Sequence, residues 1–120
     1  MSTPRCPIDA TLSLISGKWK LSIIKELLGR DARFNELCRN IPNISAKVLA
    51  QQLRELEKDG LVERHVFPVV PPHVEYRLTD LGKSLLSVFK EIRRWGLFNL
   101  INAEKIPLKC DLCIQCSSED

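Results

Sequence analysis

The chain is predicted to fold as a mainly α-helical domain carrying one small β-hairpin, and three observations carry that reading. Residues 45–60, SAKVLAQQLRELEKDG, put Leu49, Leu53, Leu56 and the Gly60 position on one side of a 3.6-residue period, with Lys47, Gln51, Arg54 and Lys58 nearly opposite. Residues 61–78 then change to the two-residue alternation of strands, LVERHVF and HVEYRL, around a break rich in proline. From Asp80 a helical period returns, with Leu81, Leu85, Val88, Phe89, Ile92 and Trp95 in one continuous stripe.

Each element has a local cause. Asp9 is a cap residue for a short first helix carrying Ala10, Leu12 and Ile15, which Gly17 ends. A second helix is predicted from about Lys18 to Leu28, with Trp19, Ile23, Ile24, Leu27 and Leu28 as its apolar stripe and Gly29 as its stop. Phe34 to about Arg39 makes a short third helix, with Phe34, Leu37 and Cys38 inward. Pro42 and Asn43 turn the chain, and Ser45 caps the helix that follows. Gly60 closes that helix after Asp59. Pro68, Pro71 and Pro72 stiffen the hairpin tip, and Thr79 caps a last helix running to about Ile101. The order of helix, helix, short helix, long helix, hairpin, helix is that of a winged helix-turn-helix.

Composition agrees with a folded chain. Of 120 residues, 44% are hydrophobic and 28% charged, with a net charge of +3. That mild basicity permits a nucleic-acid partner without demanding one. The first residues, MSTPRCPIDA, lack the apolar run of a signal peptide, and no stretch approaches the roughly 18–20 apolar residues of a membrane span, so the expected location is the cytoplasm, with no membrane partner. Gly-rich phosphate loops, HExxH, GxSxG and paired carboxylates beside a base are all missing from the sequence, so no enzyme is expected.

The long helix at 45–60 has an apolar back and a hydrogen-bonding, cationic front, which suits the major groove of double-stranded DNA. Ser45, Ala46, Lys47, Ala50 and Gln51, near its start, are the candidates for base reading. Lys47 can donate to guanine, Gln51 can pair with adenine, and the two alanines allow close approach or contact with a thymine methyl. Arg54 and Lys58 lie farther along and are expected on phosphate, as is Arg33 at the entrance to the third helix. In the wing, Arg64, His65, His73 and Arg77 are candidates for backbone or minor-groove contact. Trp19 and Trp95 are expected as core or interface aromatics. The last helix is oilier than one packed face needs, so a second copy of the chain is the expected partner.

Two stretches, ISGKWKLSIIKELL and RFNELCRNIPNISAKVLAQQLRELEKDGLVERHVFPVVPPHVEYRLTDLGKSLL, resemble the HxlR family of bacterial and archaeal transcriptional regulators, winged-helix proteins related to the MarR type. The resemblance covers about residues 6–96 and is most specific at GKW (17–19), QQLRELEKDGLV and VPPHVEYRLTDLG. It implies a cytoplasmic homodimer on a palindromic operator, with the first and last helices at the interface. It also implies a redox-sensing role for Cys6, which matches a cysteine common near the N-terminus of the family. Residues 1–104 are then the DNA-binding and dimerisation domain and 105–120 a Cys-rich tail outside the shared pattern.

That tail, LKCDLCIQCSSED, carries Cys110, Cys113 and Cys116 at two-residue steps, a spacing that lets sulfurs converge on one ion or cluster. A complete site needs a fourth ligand, and Cys6 is the natural candidate. A zinc or iron–sulfur site, a thiol–disulfide switch and an inert extension remain the competing readings. Cys38 reads as a small buried hydrophobe. Two other functions stay open beside a redox- or metal-responsive regulator. One is a winged-helix protein-interaction module with a zinc-binding tail, and the other is a small Fe–S redox protein.

Overall fold

The computed structural model describes residues 6–101. Five α-helices and one hairpin appear in the expected order: α1 (Pro7–Ile15), α2 (Lys20–Gly29), α3 (Phe34–Asn40), α4 (Ala46–Lys58), β1 (Val62–Phe67), β2 (His73–Leu78) and α5 (Asp80–Gly96). A π-helical turn, Leu97–Ile101, follows α5. The chain divides into two units, Met1–Lys83 and Ser84–Asp120.

The first unit is built around a core drawn from every element of the helix-turn-helix. Ile23, Ile24 and Leu27 of α2, Leu37 of α3, Leu49, Leu53 and Leu56 of α4, and Leu61, Val62 and Leu78 at the hairpin base are all buried. Removing that much apolar surface from water is the main force holding the unit together. Lys20 of α2 adds an ion pair across the helices, with Nζ 2.9 Å from Oε1 of Glu55 on α4.

The turn between α3 and α4 places Asn43 at φ 68, a left-handed conformation that Asn tolerates better than most residues. Ser45 caps α4 as its sequence predicts, its hydroxyl oxygen accepting the Val48 N–H at 3.1 Å. Gly60, at φ 79, ends the helix. The hairpin is antiparallel, pairing Val62 with Leu78, Arg64 with Tyr76 and Phe67 with His73. Its stem is tied at two points. Ala32 and Tyr76 exchange backbone hydrogen bonds at 3.0 and 2.7 Å. Thr79 donates its hydroxyl proton to the Gly60 carbonyl at 2.6 Å and accepts the Gly82 N–H at 3.1 Å.

Three boundaries differ from expectation. Cys6, not Asp9, occupies the cap position of α1; Pro7 is pre-set for the first helical turn, and Asp9 lies inside that turn. Helix α2 begins at Lys20 rather than Lys18, because Gly17 at φ 118 and the turn after it come first. Helix α5 ends at Gly96 and passes into the π-helical turn instead of continuing as α-helix to Ile101. In the second unit Leu85 and Phe89 are buried, whereas Ile92, Trp95 and Phe98 are exposed. No helix among the described residues is long and apolar enough to cross a membrane.

Candidate nucleic-acid interface

Helix α4 divides by burial as its sequence divides by polarity. Leu49, Leu53 and Leu56 are at most 1% exposed. Ser45, Ala46, Lys47, Gln51, Arg54 and Lys58 are exposed, and Ala50 is half-buried. Among the described residues, Lys47, Arg54 and Lys58 make no ion pair. Their charges therefore stand on the surface outside any ion pair, on a helix seated by its leucines. The Ser45 hydroxyl is already engaged as the cap of its own helix, so of the early residues Lys47 and Gln51 hold the free polar groups.

The wing is electrostatically different. On one face of the hairpin, Arg77 Nε donates to Glu63 Oε1 at 2.8 Å, in keeping with their cross-strand register. On the same alternation, His73 Nε2 meets Glu75 Oε2 at 2.6 Å. Arg33 Nε reaches the same His73 nitrogen at 3.4 Å. One ring nitrogen cannot donate to Glu75 and accept from Arg33 at once. The shorter contact takes the proton, leaving Arg33 as a neighbouring cation. His65 lies with its Nδ1 3.4 Å from Arg77 Nη2, and its ring meets Phe67 edge-on at 4.4 Å between centroids. Arg33, His65, His73 and Arg77 thus all touch partners within the unit. Arg64 is the exception: it is exposed, without an ion pair among the described residues, and on the opposite alternation, where it pairs across to Tyr76.

That second face meets the helices. Phe34, Ala50, Arg54, Glu57, Arg64 and Tyr76 line a cavity of about 310 Å³ between α3, α4 and the hairpin. Phe34, Glu57 and Tyr76 were missed as site residues from sequence. The Arg64–Tyr76 register held the signal for the last of them, since strand alternation puts both on one face. A second cavity of about 480 Å³ opens between Arg33, Phe34 and Asn35 and the wing tip, residues 69–74.

At the entrance to α3, Glu36 Oε1 accepts the Arg33 N–H at 2.8 Å, and its other oxygen lies 3.2 Å from Arg30 Nη2. The backbone hydrogen bond, with Arg30 and Arg39 nearby, holds the Glu36 carboxyl below its ordinary value. Cys6 and Cys38 are free thiols, both half-buried, so Cys38 is less enclosed than its apolar neighbours suggested. Cys110, Cys113 and Cys116, three of the four cysteines of the expected tail site, lie outside the described residues. Among the described residues, no group of three or more His, Cys, Asp or Glu is positioned for a metal ion. Trp19 is half-buried and Trp95 is 61% exposed.

Known proteins share this fold. An HTH-type transcriptional regulator of Halalkalibacterium halodurans, BH0655, is 52% identical over 98 residues, covering 80% of this chain and 86% of that one. A transcriptional regulator of the MarR family from Enterococcus faecalis superposes with a TM-score of 0.78 at 40% identity, over 88% of this chain and 97% of the other. The redox regulator HypR, in its oxidized form, superposes with a TM-score of 0.71 at 44% identity, over 78% of this chain and 97% of its own. Residues 14–104 match the model of the HxlR-like helix-turn-helix family, and the chain belongs to that family.

Proposed function

We infer that the chain is a DNA-binding transcriptional regulator of the HxlR type, working as a homodimer on a palindromic operator and responding to oxidants through cysteine. The observation that carries the DNA reading is α4. Its back is fully buried while Lys47, Gln51, Arg54 and Lys58 project without ion pairs from its front. Such a helix can enter a major groove without disturbing the core behind it. Lys47 and Gln51, flanked by Ala46 and Ala50, read base edges. Arg54 and Lys58 hold phosphate, and Arg64 brings the wing to the backbone. An interaction module would instead show exposed Leu or Phe on this front.

The dimer rests on exposed apolar side chains at both ends of the described chain. Ile8 and Leu12 on α1 are 68% and 49% exposed, and Ile92, Trp95 and Phe98 are 54%, 61% and 71% exposed. Surface of that kind is characteristic of a binding face. The redox part rests on the likeness to HypR and on the free thiol of Cys6 at the cap position of α1. Cys110, Cys113 and Cys116 act with Cys6 as one sensing unit, by disulfide exchange in preference to a zinc or Fe–S site.

Selection of bound sequences from a random duplex pool tests the DNA reading. The expected product is a palindrome with half-site centres about 34–36 Å apart. Gln51→Ala should relax one position by about 1–3 kcal/mol. A pool in which no sequence is enriched would sink the operator reading. For the sensor, operator binding is titrated with diamide and with chelator. Cys6→Ser should abolish the oxidant response, and a variant with serine at all three tail positions should weaken it. A response to chelator in place of oxidant would transfer the cysteines to metal binding.

A further inference from the structure

We propose that Arg54 of α4 and Arg64 of β1 close on a single DNA backbone phosphate, seated in the groove they share and opposed by the carboxylate of Glu57. This deepens the DNA-binding reading above and rests on it. Five observations meet at the groove. Arg54 and Arg64 line one cavity of about 310 Å³, although they come from different elements. Both are exposed, and neither has an ion pair among the described residues to neutralise it. Besides Glu57, the remaining lining residues are the aromatic Phe34 and Tyr76 and the small Ala50. Charges beside such apolar walls attract more strongly than in open water. The groove is also held in shape: Ala32 and Tyr76 exchange two backbone hydrogen bonds, and Tyr76 stands opposite Arg64 in register.

A tetrahedral phosphate can be held by two guanidinium forks at once, since each offers paired N–H donors and cannot lose its proton. Glu57 is the discordant member. Its carboxylate repels an entering phosphate and, in the free protein, offsets part of the excess positive charge. The seat therefore has a sign that can be tested in both directions. By joining the reading helix and the wing through one phosphate, it would also make the two elements bind together rather than independently.

The test measures affinity for a mixed-sequence DNA duplex across a salt series. The proteins are wild type, Arg54→Ala, Arg64→Ala, the double variant and Glu57→Gln, with thermal unfolding of each as the fold control. One shared phosphate predicts that the double variant loses about 0.9 from the log–log salt slope per half-site. Its loss of affinity should be much smaller than the product of the two single losses. Glu57→Gln should bind tighter than wild type, an outcome that misfolding cannot mimic. A double variant that loses about twice that slope, with losses that multiply, would mean two separate phosphates and overturn the proposal. So would Glu57→Gln binding like wild type. Wild type failing to bind duplex even at low salt would instead remove the DNA-binding reading on which the seat depends.

Discussion

Ser45 and Glu36 show how single side chains fix the two helices of the helix-turn-helix. The Ser45 hydroxyl satisfies an N–H that the first turn of α4 would otherwise leave without a partner. Ser45→Ala should cost about 1 kcal/mol, seen as a lowered unfolding midpoint. Glu36 does the same for α3 through the Arg33 N–H. Its carboxyl titrates below the ordinary value of 4.5, so its contribution is complete above that value and is lost as pH falls through the lowered one. Glu36→Ala should therefore lower the midpoint at neutral pH and make no difference in strong acid. Equal effects at both pH values would show that the carboxylate is not the cause.

Single residues were also where sequence was least informative about the site. Residue type alone marked Arg33, at the entrance to α3, and His65, His73 and Arg77, in the wing, as candidates for DNA. Only the strand register shows that Arg77 faces Glu63, and only the bend of the chain brings Arg33 to His73. Composition cannot tell a committed cation from a free one, because the difference lies in partners distant along the chain.

Elements were more legible. The apolar period of α4, its serine cap and its terminal glycine agree with one another, and both strands of the hairpin fall where alternation put them. The start of α2 was misread because the apolar pattern already begins at Trp19, while the glycine before it imposes a turn. Between hairpin and α5 a contact exists that no period reveals. A Cβ on Gly82 would lie 2.2 Å from the Leu61 carbonyl oxygen. Gly82→Ala must push backbone from backbone, and should destabilise by at least the 1–3 kcal/mol typical of overpacking. Urea denaturation would register it, and an unchanged midpoint would show that the junction yields freely.

For the molecule as a whole, the decisive property is assembly. A face with Ile92, Trp95 and Phe98 exposed is costly to leave in water, and one charge placed in it is costly to bury. Ile92→Glu should give a monomer in sedimentation and lose operator binding, since one protomer supplies only one recognition helix. A variant that stayed a tight dimer would move the interface elsewhere. The overall class and the family were readable because many weak local signals had to agree on one order of elements. The proposed oligomeric contact was legible only as an excess of apolar residues on α5, since any partner half of it would lie on another chain.

The two faces of α4 also bear on how such a protein can change. Leu49, Leu53 and Leu56 are the buried face that holds the helix, whereas Lys47, Gln51, Arg54 and Lys58 are exposed and contribute none of the buried core. Mutations on the front are therefore close to neutral for folding. A lineage can drift from one operator to another through folded intermediates, and a gene duplicate can diverge in its targets while its scaffold stands still. A library randomised at positions 47, 51, 54 and 58 should yield mostly folded members.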